Sequence, residues 1–167
     1  MKNIFSVFIF LAFMVSGQSI CWACTPCIAL SLEEKVKGAD LIFIGQQIKG
    51  EWPSKPDDGP MSASNGWIDV KVGIVLKGQV EQDVIRLRSQ IGGCAGGVQP
   101  FKGKAVIFLS KYFSSSLGEM QYIPIKPSCI EKPDHFSNKT IFFEDRKMDL
   151  NDFEKMIDSL SAAKSKE

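Results

Sequence analysis

An apolar run near the start of the chain decides where the rest of it must fold. Residues 4–15 are apolar except for Ser6, and they follow a short positive start at Met1 and Lys2. Cys21 and Ala23 then place small residues at the two positions a signal peptidase reads. This is the three-part layout of a secretory leader, and the run is short for a membrane span. Residues 1–23 are therefore expected to be removed, leaving a secreted or periplasmic domain. The short basic start and simple layout point to a bacterial periplasm. An uncleaved anchor is the rival reading; no later segment is apolar for long enough to cross a bilayer.

Export puts the cysteines in an oxidising compartment, where they pair. There are five: Cys21, Cys24, Cys27, Cys94 and Cys129. Cleavage after Ala23 removes Cys21 and leaves an even set, with Cys24 at the mature N-terminus. Cleavage after Gly17 leaves an odd one. Four cysteines allow three pairings. A Cys24–Cys27 bond closes a tiny loop. The other two pairings tie the N-terminus to Cys94 and Cys129, and bridges over loops of that length stabilise by about 3–5 kcal/mol each.

Charge excludes one class of partner. Removal of the leader takes away Lys2 alone, so the 20 basic and 19 acidic residues become 19 of each. Nucleic-acid binding needs a basic excess to neutralise phosphates, so no nucleic-acid partner is expected. With 44% hydrophobic residues, the chain can bury a core. Its length fits one domain, residues 24–167.

The apolar spacing is mainly of period two. Ser31 and Glu34 form a capping box for a short helix, and Gly38 stands where a C-terminal glycine ends one. A strand is expected over residues 41–49. Residues 52–66 are rich in Pro, Asp, Gly and Ser and read as a loop. Over residues 67–76, Ile68, Val70, Val72, Ile74 and Leu76 alternate with the other face. Lys77-Gly78 marks a turn. The next strand spans residues 83–89, with Ile85 and Leu87 inward and Arg86 and Arg88 outward. Residues 104–110 form a continuous apolar run that fits a central strand. A weaker strand spans residues 120–125. Leu150, Phe153, Met156, Ile157 and Leu160 share one face of a helix over about residues 150–163. Asn151 with Glu154, or Asp149 in their place, can cap it. The class is mostly β: five strands fitting a small barrel, open or closed, of which the oligonucleotide/oligosaccharide-binding (OB) barrel is one type. A small sandwich has the same periodicity.

The order of these segments resembles a known family. Cys24 and a second cysteine close behind it come first. Ala-Asp-Leu-Ile-Phe-Ile-Gly (residues 39–45) follows, then Val-Leu-Lys-Gly (75–78) and Gly-Gly-Cys (92–94). Lys-Gly-Lys-Ala-Val-Ile-Phe-Leu (102–109) and Cys129 complete the order. It resembles the netrin-like domain, the fold of tissue inhibitors of metalloproteinases and of simpler bacterial relatives. The resemblance implies a five-stranded OB barrel stapled by Cys24–Cys94 and Cys27–Cys129 bonds. It implies a non-enzymatic binding module whose partner is a protein, a zinc metallopeptidase in the animal inhibitors. There the amine and carbonyl of the first cysteine chelate the catalytic zinc and the second residue enters the substrate pocket. Those roles fall here on Cys24 and Thr25. The spacing departs from the inhibitors, because Thr25 and Pro26 separate the two cysteines where those proteins have one residue. Their second cysteine-rich domain is also missing.

Other chemistries are served less well by the residues. Cys24-Thr25-Pro26-Cys27 is a Cys-x-x-Cys, but a redox dithiol needs a preceding strand and a βαβ scaffold, and here the leader precedes it. Zinc binding by the four cysteines lacks a second Cys-x-x-Cys. Covalent haem needs a histidine where Ile28 stands. His135 is the only histidine, and no Gly-x-Ser-x-Gly elbow accompanies it, so it reads as a surface residue. The glycines of residues 92–97 match no phosphate loop. Asp57-Asp58 and Glu33-Glu34 read as loop and helix-start acids, and Asn138-Lys139-Thr140 is a glycosylation sequon. A lipid on Cys24 is a third possibility, although Cys21 and Trp22 fit a lipoprotein leader poorly. No catalytic group, intrinsic metal or cofactor is expected.

Overall fold

A computed structural model describes residues 30–51, 64–91, 97–114, 119–125 and 130–164. The expected leader and all five cysteines lie outside them. The described elements, in chain order, are helix α1 (Leu32–Gly38), strands β1 (Leu41–Glu51), β2 (Ser64–Lys77), β3 (Val84–Ile91), β4 (Gly97–Val98), β5 (Lys104–Ser114), β6 (Glu119–Pro124), β7 (Ile130–Glu131), β8 (Asp134–Ser137), β9 (Thr140–Phe142) and β10 (Lys147–Asp149), and helix α2 (Leu150–Lys164).

The sheet is organised by two neighbouring strands. Leu41 to Ile44 on β1 and Ala105 to Leu109 on β5 are all buried, and the two segments pair antiparallel from Leu41↔Leu109 to Gln46↔Lys104. A strand apolar on both faces must be covered on both. On one face Ile42, Ile44, Val106 and Phe108 form a core with Leu32 and Val36 of α1 and Phe153 and Ile157 of α2. On the other, Leu41, Phe43, Ile107 and Leu109 meet Ile68 and Val70 of β2, Ile85 and Leu87 of β3, and Val98 of β4. These are the helix-side and sheet-side cores.

The strand order is β10-β9-β8-β5-β1-β2-β3, with β6 paired to β5 beyond β8, and β4 and β7 forming a separate parallel pair. All pairs in the large sheet are antiparallel. Strand β3 bends round to approach β6 and β4, but among the described residues no ladder joins β3 to β6. Among the described residues the sheet is therefore not closed, and it holds eight strands where five were expected. The additional ones, β8 to β10, are short. Ser137 pairs with Thr140 across a two-residue turn in which Asn138 (φ 50°) and Lys139 (φ 63°) are both left-handed. That is the geometry of a type I′ hairpin, usually signalled by Asn-Gly, and Lys139 hides it in the sequence.

The expected alternation of β2 holds for Ile68, Val70 and Val72, then fails. Ile44 pairs with Ile74 and Gly45 with Val72, so Gly73 is an extra residue in the ladder. A bulge of this kind reverses which face the following side chains occupy. Ile74 is accordingly 46% exposed and Leu76 packs on the helix-side core. A Cβ at Gly73 would lie 2.8 Å from the carbonyl oxygen of Ile44, so the close approach needs glycine. The turn at Gly78 is as expected, with φ +80° and a Cβ position that would strike the Asp40 carbonyl oxygen.

The helix ends follow local rules. Glu34 N–H donates to Ser31 Oγ at 3.2 Å and Ser31 N–H to Glu34 Oε2 at 2.8 Å, the expected capping box. The C-terminus differs from expectation. Gly38 ends α1 without a left-handed turn, and Ala39 is extended. Side chains serve the last carbonyls instead: Lys77 Nζ donates to Val36 O at 2.7 Å and Ser110 Oγ to Gly38 O at 3.1 Å. At the start of α2, Asp149 is the cap, accepting from Asn151 N–H at 2.9 Å. Phe153 is fully buried, 6.2 Å from Phe108 and 5.4 Å from Phe143 between ring centroids. Phe153→Ala is expected to lower stability by about 3–5 kcal/mol in urea unfolding, and Asp149→Ala by about 1 kcal/mol. A near-zero loss at Phe153 would show that α2 does not seal the helix-side core.

Candidate functional site

The residues expected to carry function, Cys24, Thr25, Cys27, Cys94 and Cys129, lie outside the described residues, as do Asp57, Asp58 and Gly92 to Gly96. What is described is the frame around them. Ile130 immediately follows Cys129, and Gly97 stands three residues after Cys94. Those two flanking residues are partners in the β4–β7 ladder, with Val98 opposite Glu131. Gln99 N–H extends it with a 2.8 Å bond to Glu131 O. Val98 is buried in the sheet-side core, which anchors this pair beneath the sheet.

The segment after Cys27 is fixed through α1. Lys35 Nζ of that helix meets Asp134 Oδ2 of β8 at 3.1 Å, with the carboxylate side chain only 9% exposed. The ammonium also lies 5.5 Å from the centre of the Phe108 ring. Arg146 joins the start of α1 to the turn before β10, at 3.2 Å from Glu33 and 3.0 Å from Asp145. Burial pushes the Asp134 carboxyl above the ordinary aspartate range, Lys35 pulls it back, and the nearby Glu144 and Asp145 add to the rise. The remaining candidates are surface features. His135 is exposed on β8 with its ring 5.7 Å from Phe142. Asn138 occupies the hairpin turn. Among the described residues no group of three or more His, Cys, Asp or Glu side chains is placed to hold a metal ion.

No protein-family model, curated protein or solved structure matches this chain. Its function is therefore argued from its own residues. Among the described residues, no helix is long and apolar enough to cross a membrane.

One cluster escaped the sequence reading. Trp67, Asp69 and Lys71 project from the outward face of β2 between Lys49 of β1 and Arg86 of β3. Arg86 Nε and Nη2 bond the two carboxylate oxygens of Asp69 at 2.8 and 2.9 Å. The same guanidinium sits 4.2 Å from the centre of the Trp67 ring, and Lys49 Nζ sits 5.5 Å from it. The fork of bonds from Arg86 holds the Asp69 carboxyl below its usual range. Period two placed Arg86 outward. Its partners depend on register, which the sequence does not print.

The buried Asp134 makes a pH prediction. The folded chain holds this proton more tightly than the unfolded one, so the group's contribution to stability falls as pH rises from about 4. Asp134→Asn cannot titrate. Its melting temperature is expected to gain on the parent chain progressively from pH 4 to pH 7 in thermal scans. A variant that instead loses ground as pH rises would show that attraction to Lys35 outweighs burial.

Proposed function

We propose that this chain is an exported, non-enzymatic binding domain of netrin-like type, and that its mature N-terminus at Cys24 engages a zinc metallopeptidase. The observation that carries the reading is the pairing of Gly97 with Ile130. It seats the chain just beyond Cys94 beside the chain just beyond Cys129. A parallel ladder of two residues is weak alone. Disulfides that anchor both flanks to one N-terminal segment give it a physical reason to persist. The run of neighbours β3-β2-β1-β5-β6, with β3 approaching β6, supports an OB-type order for these five strands in this reading, in a sheet that is not closed. Strands β8 to β10 are then an appendage on the free edge of β5.

The chemistry follows from the terminus. A catalytic zinc keeps one coordination position open for water or substrate, and an α-amine can fill it. Bonds from Cys24 to Cys94 and from Cys27 to Cys129 hold that amine and Thr25 in a fixed posture, which reduces the ordering cost of binding. The capping box and the Lys35–Asp134 pair extend this anchoring to the helix that follows.

Intact mass and a disulfide map of exported protein test the reading, together with inhibition assays on a panel of zinc metallopeptidases. The expected result is a chain starting at Cys24 with Cys24–Cys94 and Cys27–Cys129 bonds. Inhibition is expected to vanish when one alanine precedes Cys24. A Cys24–Cys27 bond would replace this reading with thiol–disulfide exchange. A lipid-sized mass increment on Cys24 would mean a tethered envelope protein with no free amine to present.

A further inference from the structure

We draw no further inference here: the strongest candidate, the exposed aromatic patch of Tyr112 and Phe113 where β5 runs past the start of β1, carries none because nothing in the structure shows what covers it.

Discussion

Two strands that are apolar on both faces set the terms for the whole molecule. β1 and β5 lie side by side at the centre of the sheet, and every side chain from Leu41 to Ile44 and from Ala105 to Leu109 is removed from water. Neither face can be left bare, because burying large aliphatic and aromatic side chains contributes about 1.5–3 kcal/mol each. One face recruits the helices and the other recruits β2, β3 and β4. The bend of the sheet is a consequence: β3 must turn toward β6 to bring Ile85 and Leu87 over Phe43 and Ile107. The short strands β8 to β10 meet the same demand from the other edge, since Ile141 and Phe143 complete the helix-side core.

The joint between α1 and β8 is the polar counterpart of this packing. Lys35 and Asp134 carry opposite charges into a place with little water. A buried pair of this kind adds little net stability, because each charge loses its hydration, but it penalises any other seating of the helix. That suits a segment whose task, in the proposed reading, is to hold a presented N-terminus in one posture.

Much of the fold was legible in residues 41–49, 67–76, 83–89 and 104–110, because period-two alternation and an unbroken apolar run are local signals. The capping box at Ser31 and Glu34, the Gly78 turn and the apolar stripe from Leu150 to Leu160 were legible for the same reason. What failed was non-local or short. Strands β4 and β7 are two residues each and exist only because they find one another. Strands β8 to β10 lack the length for periodicity, and their turn uses Lys139 where a glycine is customary. The burial of Ile74 was misread because the Gly73 bulge appears only against β1.

The sequence by itself determined the central strands, both helices, the local caps and the balance of charge, since each rests on neighbours within a few residues. The tertiary structure alone decided which strands stand next to which, where the sheet stays open, and which charged side chains meet. Lys35 finds Asp134 across 99 positions of chain, and Arg86 finds Asp69 across 17. Hydrophobic burial is non-directional and states only that a face must be covered. Hydrogen-bond register and the geometry of the fold then choose the partner.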